Sequence, residues 1–108
     1  MAYKGNTSCV DPEEAFVASV SSCHMLTFLA IAARKRFVLD SYRDEAVGTL
    51  AKDPAGNLSI TKIALRPEVV FGGENKPTAE ELTKMHNQAH HACFIANSVK
   101  TEIVVEPR

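Results

Sequence analysis

Cys23 and Cys93 are the two residues of this chain whose chemistry would be most useful if they met. Cys23 lies in Ser21–Ser22–Cys23–His24–Met25, midway along an apolar stretch, and Cys93 lies in His90–His91–Ala92–Cys93–Phe94. Either one alone reads better as a small buried hydrophobe, which is how most free cysteines pack. As a pair they carry more, because both fall on core-facing positions of helices that must cover one sheet. Two thiols brought together at such a helix–helix contact have a natural use. A thiolate attacks the O–O bond of a peroxide, becomes a sulfenic acid, and condenses with the second thiol to a disulfide. Cys9 precedes the first helix in a polar stretch, and the cycle has no need of it.

The histidines offer a rival chemistry. His86-x3-His90-x2-Cys93 has the spacing of metal ligands on one helix. On a helical projection, however, His86 falls at the edge of the apolar stripe, His90 farther out, and His91 toward solvent. No carboxylate or second cysteine is close enough in sequence to complete a familiar ligand set, which favours a solvated face. His24 adjoins Cys23, but adjacent helical residues diverge by about a hundred degrees, so it is poorly placed as a direct base.

The elements that must position these groups can be read along the chain. Asp11–Pro12–Glu13–Glu14 marks a helix start: Asp11 can cap, Pro12 suits the first turn, and the acids favour the positive end of the dipole. The helix is predicted to run to about Arg36, and its apolar positions cover almost every direction, so it is central. A chain this small has few other elements to cover such a helix, which argues for a partner subunit. Phe37–Lys52 and Leu58–Phe71 are predicted to form a hairpin around the turn Asp53–Pro54–Ala55–Gly56–Asn57. A slip in the alternation near Lys62 predicts a bulge, and Pro67 marks an edge or another irregularity. Thr78 and Glu81 form a capping-box pattern that opens a second helix, with Leu82, Met85, Ala89, Ala92, Cys93 and Ala96 on one stripe. Thr101–Glu106 is predicted to be a short strand. The expected fold is α+β, one domain over residues 1–108, with two long helices packed on an antiparallel sheet.

Composition narrows the function classes. With a net charge of −1 and no basic run among aromatics, the chain is not expected to bind nucleic acid. Three cysteines are an odd number and too few for a disulfide-stapled secreted scaffold, and Met1–Asp11 has neither a basic start nor an apolar run. The expected address is therefore the cytoplasm, where paired cysteines are more often redox-active or metal-binding than structural. Ala15–Ala33 approaches the length of a membrane span, but three serines, His24, Thr27 and five alanines fit a buried helix better than a bilayer.

Asp11-Pro12-Glu13-Glu14-Ala15-Phe16 followed by Ser21-Ser22-Cys23 resembles the segment that opens the central helix of OsmC/Ohr proteins. Cys93 with Ala96-Asn97-Ser98 resembles the second cysteine motif of that family, and the resemblance extends from Gly5 to Pro107. It implies a thiol peroxidase that reduces organic hydroperoxides, and in some members hydrogen peroxide. Within it Cys23 would be the peroxidatic cysteine, Cys93 the resolving cysteine, and Glu13 the acid that orients a basic residue beside the thiolate. It further implies an intertwined homodimer with the central helices at its middle, no bound cofactor, and regeneration by dithiols, commonly lipoylated proteins. Family members carry N-terminal strands ahead of the central helix, and the catalytic arginine lies in them. No residue here inherits that role, which leaves Arg34, Arg43 and Arg66 as candidate replacements. Without a cation beside it, a thiol in a helix interior is expected to have a raised pKa. Phe94 also stands where relatives often have proline, so the second helix is expected to continue past Cys93.

Three functions follow: a thiol peroxidase, an OsmC-like module that binds a small apolar ligand or partner without turnover, and a metal-binding protein using the histidines and Cys93.

Overall fold

The computed structural model describes residues 12–108, so Cys9 and the capping role expected of Asp11 lie outside the described residues. Helix α1 is Pro12–Arg34, with Glu13 and Glu14 in its first turn and Arg34 in its last, as the macrodipole favours. Its buried line is Val17, Val20, His24, Phe28, Ile31 and Ala32. Another face, bearing Ala15, Ala18, Ser22, Leu26, Ala30 and Ala33, is exposed. The helix ends in a Schellman motif: the Arg36 amide donates to the Ala33 carbonyl at 3.1 Å and the Phe37 amide to the Ala32 carbonyl at 3.0 Å. Arg36 itself occupies the left-handed region at φ 63°, where glycine is the usual occupant.

The predicted hairpin is present, but it bends in the middle and divides into four strands. Strands β1 (Val38–Asp44) and β2 (Val47–Lys52) form one arm, and β3 (Leu58–Leu65) and β4 (Pro67–Gly72) the other. β1 pairs with β4 and β2 with β3, both antiparallel. The break falls where Pro67 cannot donate to the ladder. The Arg66 amide donates instead to Asp44 Oδ1 at 2.7 Å, and the other Asp44 oxygen accepts from the Ser21 hydroxyl on α1. Asp44 therefore both bends the hairpin and ties the bend to the middle of α1. At the tip, Asp53 Oδ1 accepts from the amides of Ala55 and Asn57, each at 3.0 Å, and Gly56 supplies the positive φ of 85° that closes the turn. Thr49 pairs with Lys62 and Leu50 with Ile60, so the bulge expected near Lys62 is present at Thr61.

Thr78 caps helix α2 (Ala79–Ala92) with the expected box: its hydroxyl accepts from the Glu81 amide and the Glu81 carboxylate accepts from its own amide. The helix does not run on through Cys93 as its stripe implied. At Cys93 the backbone is extended (φ −71°, ψ 113°), and a separate short helix α3 covers Phe94–Asn97. The break is held from outside the helix. Asn97 Nδ2 donates to the His91 carbonyl at 2.9 Å, and Ile95 and Ala96 turn in against the core. After α3 the chain returns as β5 (Glu102–Val105), which pairs parallel to β3. Instead of one antiparallel sheet there are thus two, of orders β1-β4 and β2-β3-β5.

The core has two lobes, and α1 contributes buried residues to both. Val17 and Val20 pack with Ile63, Leu65 and Ile103 over the three-stranded sheet, while Phe28, Ile31 and Ala32 pack with Met85 and Ala89 over the two-stranded one. A Cβ added to Gly48 would stand 2.8 Å from Val17 Cγ2, so the bare glycine is what lets α1 approach β2. By length and composition α1 would span a membrane, yet it is the one element that both lobes share. Between the lobes, on the stretch Ser21–Met25, sit the residues that carry chemistry.

Candidate functional site

Cys23 projects from α1 toward the turn between α2 and α3, and Cys93 occupies that turn. Cys93 is buried at 1% exposure and Cys23 is half-buried, and both are free thiols. The two thiols are neighbours, close enough that each shifts the other's titration. The helix break is what makes this possible, because the extended backbone at Cys93 frees its neighbours' amides. The backbone of Phe94 and Ile95 faces the Cys23 sulfur, and the Thr27 hydroxyl, one helical turn along, reaches it too. The same Thr27 hydroxyl lies 2.8 Å from the Cys23 carbonyl oxygen and can turn its single proton to either acceptor.

These contacts make the two thiols unequal. Burial, the largest effect on Cys23, raises its pKa, but the Cys93 thiol, the Ile95 and Phe94 backbone and the Thr27 hydroxyl together outweigh it. The net shift is downward, toward thiolate. This corrects the expectation that a mid-helix thiol without a cation beside it would be raised: hydrogen bonds to the charged form substitute for the cation. Cys93 moves the opposite way, raised by burial and by the neighbouring Cys23 thiol. The arrangement makes Cys23, not Cys93, the thiol that ionises first.

The arginine candidates have other positions. Arg66 pairs with Glu106 at 3.3 Å beside the sheet break, Arg43 is exposed on β1, and Arg34 is exposed in the last turn of α1. None is among the groups that shift Cys23. Glu13 is in the first turn of α1, and that helix is unbroken to Cys23. Ten residues at 1.5 Å each separate them by about 15 Å, too far to act on one peroxide from the same chain.

Two histidines are buried where α1 packs on α2. His24 and His86 are 1% and 2% exposed, with His24 Nε2 and His86 Nδ1 3.0 Å apart. Their rings are parallel within 5°, and Phe28 stacks on His86 at 4.4 Å. His24 Nδ1 and His86 Nε2 are buried without a hydrogen-bond partner. A signal was present: His24 falls four residues after Val20 and four before Phe28, on the buried line of α1. His86 is buried together with Met85 and Ala89 on α2, so it faces the core and does not sit at the edge of the stripe. With Cys93 committed to Cys23 and His86 to His24, the metal-ligand spacing is not used as such. Among the described residues no group of three or more histidine, cysteine or carboxylate side chains is placed to hold a metal ion.

A match to the OsmC-like protein family spans residues 5–108. Among solved structures, an OsmC-like protein of unknown function from Vibrio cholerae is 58% identical with a TM-score of 0.93, over 95% of this chain and 67% of that one. The organic hydroperoxide resistance protein OhrB of Bacillus subtilis shares the fold at 20% identity and a TM-score of 0.75, over 92% of this chain and 70% of its own. The organic hydroperoxide resistance protein OsmC of Legionella pneumophila does so at 17% identity and a TM-score of 0.71, over 95% of this chain and 71% of that one. No protein of curated function gives a significant match.

Proposed function

Because the chain belongs to the OsmC-like family, we propose that it is a thiol-dependent peroxidase that reduces organic hydroperoxides through a Cys23–Cys93 dithiol–disulfide cycle. What supports this reading is the juxtaposition of two free thiols where α1 meets the α2–α3 turn, with Cys23 shifted toward ionisation and Cys93 away from it. The Cys23 thiolate attacks the peroxide O–O bond. That bond breaks, an S–O bond forms, and the alkoxide takes a proton from water and leaves as the alcohol. Cys93 then attacks the Cys23 sulfenic acid, giving its proton to the departing hydroxyl, so that water leaves and the S–S bond closes. A dithiol reductant, for which a lipoylated protein is suited, returns both cysteines to thiols and leaves as its own disulfide. The names of the Bacillus and Legionella relatives, both organic hydroperoxide resistance proteins, favour an organic hydroperoxide as substrate.

The working unit in this reading is a cytoplasmic homodimer without a bound cofactor. The exposed face of α1, with Leu26 61% exposed among alanines, is the surface on which a second copy would pack. An antiparallel second α1 would bring its Glu13 to the Cys23 that the first chain's own Glu13 cannot reach.

The test is a dithiothreitol-dependent peroxidase assay comparing cumene hydroperoxide with hydrogen peroxide, run beside Cys23→Ser. Turnover that favours the organic substrate and vanishes in Cys23→Ser is the expected result. Consumption equal to that of Cys23→Ser would end the peroxidase reading. Peptide mapping after stoichiometric hydroperoxide should join Cys23 to Cys93 within one chain, and a product through Cys9 would refute the pair.

A further inference from the structure

His24 and His86 take no part in the thiol cycle, yet they are the fully buried ionisable nitrogen bases among the described residues. As a source of stability they are a poor choice. One shared hydrogen bond leaves His24 Nδ1 and His86 Nε2 unpartnered, and a buried polar pair in that condition does no better than apolar side chains of the same volume. What the pair has, and an apolar pair lacks, is direction. Met85 and Ala89 would pack on Phe28, Ile31 and Ala32 at more than one offset, whereas Nε2 and Nδ1 meet at a single one.

The pair also stands next to the thiols on both helices. His24 follows Cys23 directly on α1, and His86 precedes Cys93 by seven residues, two turns back along α2. Because the helix ends at Ala92, α2 is the arm whose tip delivers Cys93. We propose that the His24–His86 hydrogen bond is a positioning device: it sets the offset of α2 against α1 so that the Cys93 sulfur meets the Cys23 sulfur. The inference rests on the Cys23–Cys93 cycle proposed above, for which both histidines are positioning residues without contact to the peroxide.

Thiol–disulfide exchange with glutathione tests it without any peroxide. The protein dithiol and glutathione disulfide give the protein disulfide and two glutathione thiols, and the equilibrium constant is the effective concentration of Cys93 at Cys23. His24→Leu/His86→Leu fills the site with apolar volume and should remain folded. Its effective concentration should nonetheless fall about tenfold or more, since the offset is no longer specified. His24→Gln/His86→Asn places an amide at each of the two bonding nitrogens and should hold the wild-type value. A leucine pair that keeps the wild-type value, or an amide pair that falls as far as the leucine pair, overturns the inference. If the leucine pair does not fold, His86→Phe decides it by the same criterion, because its ring keeps the stacking on Phe28 without the bond. Wild-type protein that forms no Cys23–Cys93 disulfide in excess glutathione disulfide overturns the underlying cycle. Wild-type protein that forms it normally, with variants to match, overturns only the positioning role.

Discussion

Acidifying the protein from pH 7 to pH 4 charges two imidazoles that the fold holds between α1 and α2. In the folded chain both titrate at about 4, against 6.5 for an unperturbed histidine. Burial is the main cause for each. For His24 the Asp44 carboxylate opposes it and His90 adds to it, and for His86 the neighbouring His24 adds to it. Tyr42 packs on Phe28 from β1, and burial pushes its own titration far above the range of interest. A base whose folded pKa lies below its unfolded one is protonated first in the unfolded chain. Stability is therefore whole above about pH 6.5 and is lost as the pH falls toward 4. At 1.36 kcal/mol per pH unit, the interval from 6.5 to about 4 is worth about 3 kcal/mol for one histidine, and the second adds to it. In a domain of this size that is a fall in Tm of roughly 10–25 °C. The assay is urea unfolding of the reduced protein between pH 7.5 and 4.5 at one fixed protomer concentration, beside His24→Gln/His86→Asn. Both proteins share the carboxylate titrations, so only the difference between their profiles reports on the pair. The wild type should lose stability more steeply below pH 6.5, and parallel profiles over the whole range would refute the reasoning.

Other substitutions test the remaining parts of the structure. In Cys93→Ser, stoichiometric hydroperoxide should leave Cys23 as sulfenic acid and excess should drive it to sulfinic acid, read by mass spectrometry; overoxidation of Cys93 in Cys23→Ser would reverse the roles. Gly48→Ala forces a methyl to within 2.8 Å of Val17 Cγ2 and should cost about 1–3 kcal/mol in thermal or urea unfolding. Arg36→Gly removes the Cβ from a left-handed residue at φ 63° and should raise stability by about 0.5–1 kcal/mol. Mixing Glu13→Gln with Cys23→Ser under subunit exchange should restore part of the peroxidase activity, because one site of each mixed dimer keeps both groups. No recovery despite proven exchange would mean that Glu13 serves no Cys23 across the dimer.

Much of this protein is decided by short-range patterns that any reader of its residues can follow. Pro12 with two acids opens α1, the Thr78–Glu81 box opens α2, and Asp53–Asn57 closes the hairpin, because caps and tight turns are made by residues within a few positions of one another. The slip in the alternation along β3 near Lys62 even points to the bulge, which falls one residue away at Thr61. That Cys23 and Cys93 lie near each other was legible for the related reason that each motif lies at a definite place on a recognisable helix. What depended on tertiary structure was everything set by a partner distant in the chain. The hairpin bends at Arg66 because an Asp44 oxygen takes its amide, and α2 stops at Ala92 because Ile95 and Ala96 are drawn into the lobe built by Val17 and Val20. The same break turns the Phe94 and Ile95 backbone toward Cys23 and lowers a thiol that helical context alone would have raised. His24 and His86 look like polar residues on separate helices until packing brings their nitrogens to 3.0 Å, since an imidazole is buried neutral only where another helix supplies its partner.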